Sequence, residues 1–171
     1  MARVVGALLP EGAIVVDEAN TSSVALPIGT ARHDLLTNSG FAIGLGKPLA
    51  IGAALACPGR PVICLQADGS AMYTPSALWT QARERLNITT IVLNNRAYAT
   101  PPRARRRLFR ETGTSALSDL SNPDLDFVAL PAAMSVPGYP VTTTAELTAR
   151  LTYALSEPGP HLLEAMVPAR H

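Results

Sequence analysis

Two apolar, β-branched runs stop abruptly at polar residues. Val62-Ile63-Cys64-Leu65 leads into Ala67-Asp68-Gly69-Ser70, and Ile88-Thr89-Thr90-Ile91-Val92-Leu93 leads into Asn94-Asn95. Runs of this length and content read as buried strands. Between them, Thr74-Pro75 reads as a helix start, with Thr at the cap and Pro at the first helical position, where its missing N–H costs nothing. Ala77, Leu78, Gln81, Ala82 and Arg85 then fall on or near one helical face, and Trp79 lies to the side. Strand, helix, strand is the unit that builds a parallel sheet. Asp68 and Asn95 are therefore expected at the carboxyl ends of adjacent strands, where open α/β sheets bind ligands.

The chemistry of that pair is specific. A carboxylate, an amide carbonyl and a backbone carbonyl are hard oxygen ligands, and Mg²⁺ favours such a set when phosphate oxygens and water complete it. Gly69 and Ser70 offer backbone N–H groups and a hydroxyl beside a helix N-terminus, a setting suited to phosphate.

The rest of the chain alternates strand and helix patterns without internal repeats. Residues 4–9 end a helix at Pro10, and Ala13 to Asp17 reads as the first strand. Glu18-Ala19-Asn20-Thr21-Ser22-Ser23 follows, dense in amides and hydroxyls that suit a helix cap or an anion site. His33 lies in a polar connection, Thr30 to Asn38, and reads as an exposed loop residue. Gly40, Gly44 and Gly46 punctuate a loop that Pro48 closes into an Ala-rich helix, Leu49 to Ala56. Met72 reads as core, with Tyr73 beside it. Pro101-Pro102 argues against a helix after Asn95, and Arg103, Arg105, Arg106, Arg107 and Arg110 read as a solvated run or a cationic lid. Residues 111–124 read as loop, Leu125 to Met134 as a short helix interrupted at Pro131, and Thr143 with Glu146 as a capping box. Leu147, Leu151 and Leu155 form one apolar face, and His161 to Met166 reads as the last strand, His161 being structural.

This pattern specifies a three-layer α/β/α fold with a mostly parallel sheet, and 171 residues fit one domain, 1–171. A net charge of +1 gives no general case for nucleic acid or anionic membranes, and no apolar run approaches the ~20 residues of a membrane span. Cys57 and Cys64 have no metal-ligand spacing and read as two reduced thiols, consistent with a cytoplasmic protein.

Ala67-Asp68-Gly69-Ser70 with Asn94-Asn95 resembles the motif of thiamine-diphosphate enzymes, which is normally Gly-Asp-Gly-Ser followed, one helix and one strand later, by Asn-Asn. The run from Gly40 to Tyr98 is similar to acetolactate-synthase-like and benzoylformate-decarboxylase-like enzymes, and the likeness continues through Leu125–Leu130 to Glu157–His161. It covers one domain of such an enzyme, the C-terminal diphosphate-binding one, and lacks the pyrimidine-binding and middle domains. The resemblance implies thiamine diphosphate and Mg²⁺ as cofactors. Asp68, Asn95 and the Ala97 carbonyl match the metal ligands. Asn20, Thr21, Ser22, Gly69, Ser70 and Tyr98 match the diphosphate contacts. Ile43 matches the apolar wedge that bends the cofactor, and the Phe41 carbonyl matches the acceptor for its amino group. Phe41 and Ala67 depart from the pattern, each standing where relatives have Gly. One added methyl at 67 is tolerable if its φ is negative.

The resemblance implies decarboxylation of a small 2-oxo acid, with or without carboligation, as in acetolactate synthase. No catalytic residue is expected in this chain, because the activating glutamate belongs to the pyrimidine-binding domain, so the chain needs that partner in a homo- or hetero-oligomer. The alternatives are a non-catalytic remnant that binds Mg-diphosphate only, and a benzoylformate-decarboxylase-like domain. An unrelated phosphate-binding α/β protein lacks a Walker-type loop or a Gly-x-Gly-x-x-Gly after a strand.

Overall fold

Among the described residues six parallel strands form one sheet. The computed structural model describes residues 1–20, 32–38, 40, 42–98 and 116–168. Thr21, Ser22, Phe41, Pro101-Pro102 and the arginine run from 103 to 110 lie outside the described residues. In chain order the elements are α1 (Ala2–Leu8), β1 (Ile14–Glu18), β2 (Asp34–Thr37), α2 (Gly46–Ala56), β3 (Val62–Ala67), α3 (Asp68–Ala71), α4 (Ala77–Arg83) and β4 (Ile88–Asn94). A 3₁₀ turn (Ala116–Ser118), α5 (Ala129–Ala132), β5 (Gly138–Val141), α6 (Thr144–Ser156) and β6 (His161–Met166) complete them.

The sheet order is β2-β1-β3-β4-β6-β5, and every pairing is parallel. Alternation along the strands supplies both faces. Val15, Ile63, Leu65, Ile91 and Leu163 pack with Val5 of α1 and with Leu147 and Leu151 of α6. Ile14, Val16, Val62, Cys64 and Ile88 pack with Ala50 and Ala54 of α2. Leu78 of α4, Phe127, Val136 and Leu162 close a third cluster around Val92. Parallel strands covered on both faces read as continuous apolar runs, which is why β3 and β4 were visible in the sequence. The chain sets β2 on one side of β1 and β3 on the other, so the crevice outside their carboxyl ends is a topological switch point.

Several elements differ from expectation. Strands β2 and β5 were not expected. Both are four-residue edge strands, β2 is largely exposed, and Pro140 sits in β5, where a missing donor is harmless at an edge. Thr74 is not a cap: α4 begins at Ala77 after a turn in which Ala77 N donates to Thr74 O, and the Thr74 hydroxyl donates to Gly44 O at 2.8 Å. Met72 is 36% exposed rather than core. The helix expected from Leu125 to Met134 contracts to α5, because Asp126 Oδ1 accepts from Val128 N and Ala129 N and starts the turn only there. The capping box is present: Thr143 Oγ1 accepts from Glu146 N at 3.1 Å, and Thr143 N donates to Glu146 Oε2 at 3.1 Å. Cys57 and Cys64 are free thiols. Among the described residues no helix is long and apolar enough to cross a membrane.

Candidate functional site

Strand β3 ends at Ala67 and β4 at Asn94, paired in register from Val62–Ile88 to Ala67–Leu93, so their next residues meet at the sheet's crest. Ala67 has φ −80° and extended backbone, so its methyl costs nothing there. Asp68 is buried, and its carboxylate gathers backbone amides. Oδ1 accepts from Gly69 N at 2.8 Å, and Oδ2 accepts from Asn95 N at 3.1 Å and Ala97 N at 3.3 Å. Burial pushes the Asp68 carboxyl above the usual carboxylate range, against the lowering pull of those amides. Asn95 Oδ1 accepts from Ala97 N at 3.0 Å, so the Asn95 carbonyl and the Ala97 backbone are held in one turn beside Asp68.

Asn94 holds that turn. Its Oδ1 accepts from Arg96 N at 3.0 Å, and its Nδ2 donates to Glu164 Oε1 of β6 at 2.7 Å. Tyr98 N donates to Ser118 O at 2.8 Å, and its ring lies over Gly69. A Cβ at Gly69 would come within 2.7 Å of Tyr98 Cδ1, so glycine there is a packing requirement. The expected free N–H of Gly69 is instead committed to Asp68, because a carboxylate opening a helix takes the amide that follows it. The Ser70 hydroxyl likewise donates to Ala67 O at 3.0 Å. Asn20 is exposed at the end of β1, with φ +50° and its Nδ2 donating to Glu18 O at 3.3 Å.

The loop before α2 presents Ile43, an aliphatic side chain left 46% exposed. Gly44 has φ +88°, and a Cβ there would meet Tyr73 Cβ at 2.5 Å. What holds this loop was missed in the sequence: Glu18, the last residue of β1, is 1% exposed. Its Oε1 accepts from Gly44 N at 2.5 Å and Asn38 Nδ2 at 3.0 Å, and its Oε2 accepts from Gly46 N at 2.6 Å and Gln66 Nε2 at 3.1 Å. Lys47, also buried, donates through Nζ to Ala71 O at the end of α3. Burial pushes the Lys47 ammonium down to about 8, against the raising effect of Cys64 and Glu18. The available signal was a carboxylate directly after a buried strand and a lysine directly after Gly-Leu-Gly.

The chain thus brings together Asp68, Gly69, Ser70, Asn95, Ala97 and Tyr98, with Ile43 and Asn20 on neighbouring loops at the same edge of the sheet. Residues 21–165 match the family described as thiamine pyrophosphate enzyme, C-terminal TPP binding domain. The chain is 52% identical to the Mycobacterium tuberculosis protein named "Putative acetolactate synthase large subunit IlvX", over 98% of this chain and 34% of that protein. It is 32% identical to benzoylformate decarboxylase of Pseudomonas aeruginosa, over 94% of this chain and 30% of that one. The structure of a thiamine diphosphate-dependent 4-hydroxybenzoylformate decarboxylase from Rhodococcus jostii superposes with a TM-score of 0.88 at 32% identity, covering 99% of this chain and 32% of that one. The chain spans about a third of the length of the curated relatives it matches.

Proposed function

Because the chain belongs to the thiamine pyrophosphate enzymes through their C-terminal TPP-binding domain, we propose that it binds the diphosphate of that cofactor through Mg²⁺, within a 2-oxo-acid-converting enzyme. The observation that carries the metal reading is Asp68. It is a buried carboxylate for which no ion pair is found among the described residues, bonded to the backbone amides of Asn95 and Ala97 beside the Asn95 side-chain carbonyl. Among the described residues no three His, Cys, Asp or Glu side chains gather into a metal group, so the set carries a single negative charge. One carboxylate and two neutral oxygens fit Mg²⁺ that shares diphosphate oxygens, and do not suit a cation held by protein alone. Asp68, Asn95 and the Ala97 carbonyl would hold the metal. Tyr98 would cover the diphosphate, and Asn20, Thr21 and Ser22 would contribute contacts to it. Ile43 would brace the cofactor's bend, and the Phe41 carbonyl would accept from its amino group.

When bound, the cofactor supplies a centre that stabilises the carbanion left as a 2-oxo acid loses CO₂. This chain's residues bind and orient that centre. The group that activates it comes from a pyrimidine-binding domain, as a partner subunit or a further part of the same protein. Exposed Ile43, Met72 and Tyr73 supply an apolar rim for such a partner at this edge, in a cytoplasmic oligomer. An acetolactate-synthase-like reaction is favoured by the 52% identical relative. Decarboxylation of an aromatic 2-oxo acid is the second reading, favoured by the close superposition on the 4-hydroxybenzoylformate decarboxylase.

Calorimetric titration of this chain with thiamine diphosphate, with and without Mg²⁺, tests the proposal. Binding that requires Mg²⁺ and disappears in Asp68→Ala is expected. Magnesium-independent binding, or binding unchanged in the variant, overturns the metal assignment. Absence of binding by both Phe41→Gly and the wild type, with the partner domain supplied, overturns the cofactor assignment.

A further inference from the structure

The Glu18 carboxylate is as fully engaged as a carboxylate can be, with two donors on each oxygen, and it lies beneath a loop rather than in the site. We infer that Glu18 is the positioning residue for the loop that carries Ile43: it fixes that loop against the metal-bearing segment and so sets where the cofactor's ring end rests, leaving the diphosphate end to Asp68 and Asn95. The inference rests on the proposed cofactor.

The geometry supports a device that links separate pieces of the site. Two of the four donors, Gly44 N and Gly46 N, are backbone amides flanking the turn after Ile43. The other two, Asn38 Nδ2 and Gln66 Nε2, come from the end of β2 and from β3. The loop is tied to the next segment by the Thr74 hydroxyl on Gly44 O, and its helix is tied to α3 by Lys47 on Ala71 O. Ser70 Oγ also reaches Glu18 O at 3.4 Å. Among the described residues no hydrogen bond joins the Glu18 carboxylate to Asp68, Asn95 or Ala97.

A glutamine at 18 separates this role from a merely structural one. Its amide would turn N–H groups toward one pair of donors. Asn38 and Gln66 can each rotate to present an oxygen, since Asn38 Oδ1 and Gln66 Oε1 are buried without a partner among the described residues. A backbone amide cannot rotate, so either Gly44 N or Gly46 N loses its acceptor whichever way the glutamine lies.

The test compares Mg-thiamine diphosphate with Mg-pyrophosphate as ligands of the full chain, with amide hydrogen exchange measured at Gly44 and Gly46. Glu18→Gln is expected to weaken thiamine diphosphate by about tenfold or more, with pyrophosphate within about twofold, and to speed exchange at one of the two glycines. Equal effects on both ligands, no effect on either, or unchanged exchange overturns the inference. If the wild type binds neither ligand, the cofactor reading fails, and glycine exchange alone decides whether Glu18 holds the loop. Should Glu18→Gln not fold, Asn38→Ala is read in its place: a selective loss of about threefold is expected, and no selectivity overturns the inference.

Discussion

Gly46→Ala measures how rigid the Glu18 network is. A Cβ on Gly46 would lie 2.7 Å from Glu18 Oε2 and 3.0 Å from Glu18 Cβ, and would run into Gln66 Nε2. No positive φ is involved, so the backbone itself accepts alanine, and at a helix N-terminus alanine would otherwise gain up to ~1 kcal/mol over glycine. The clash decides the sign. Neither neighbour is the free end of a surface chain: both are buried and hydrogen-bonded to each other. Overpacking of this kind costs about 1–3 kcal/mol, and displacing the carboxylate from one amide adds about 1.5–3 kcal/mol. Less the gain in helix propensity, a net loss of roughly 2–5 kcal/mol is expected. With a urea slope of about 1–3 kcal/mol/M, the unfolding midpoint should fall by on the order of 1–2 M at unchanged slope. Gly52→Ala is the internal control, because the same helix there has nothing within 4 Å of the new methyl. It should stabilise by up to ~1 kcal/mol. If Gly46→Ala is as stable as Gly52→Ala, the network yields easily, and the rigidity argued for the Ile43 loop is refuted.

Two further outcomes follow from the described groups. Lys47 titrates near 8 in the folded protein against an ordinary 10.5, because burial disfavours its charge. Between those values the unfolded chain holds the extra proton, so Lys47 should add stability as pH rises from about 8 to 10.5, on the order of 3 kcal/mol. Urea midpoints across that range should climb more steeply in the wild type than in Lys47→Met, and equal slopes would contradict the assignment. Thr143→Ala should cost about 1 kcal/mol by removing the cap of α6. Glu146 is held below its usual range by Thr142 and Thr143, so its share of the box is present above about 4.5 and is lost as pH falls through its lowered value. Melting curves at neutral and acid pH should therefore show a Glu146→Gln deficit that shrinks in acid.

What the sequence revealed was whatever chemistry is local. Asp68 follows a buried strand and Asn95 follows another, and each announces its place by interrupting an apolar run. Ala67 needed only a negative φ to be harmless, and it has one. The Thr143–Glu146 box spans three residues and was legible for the same reason. Edge strands were not legible, because β2 is largely exposed and β5 contains a proline, so neither shows the apolar signature of a covered strand. Thr74 looked like a cap because capping is the commonest local use of a threonine before proline. A carbonyl from residue 44, far off in sequence, won its hydroxyl.

The Glu18 network was illegible for a deeper reason. Its donors come from positions 38, 44, 46 and 66, and only the sheet order, which places β1 between β2 and β3, brings them to one carboxylate. The site is thereby divided by sequence distance. The half proposed to bind metal, Asp68 with Asn95 and Ala97, is built on two adjacent strands. The half that would brace the cofactor's rings depends on a loop whose position is set by a third strand. Polar groups in both halves are largely satisfied within the chain, so neither needs a ligand in order to form. Apart from the buried oxygens of Asn38 and Gln66, what stands uncovered at the site edge is apolar: Ile43, Met72 and Tyr73 are exposed there. Exposed apolar surface contributes free energy when it is covered, whereas committed amides contribute little more. Affinity for the ring end of the cofactor should accordingly be the part of binding most raised by a partner domain, and affinity for diphosphate the part this chain carries by itself.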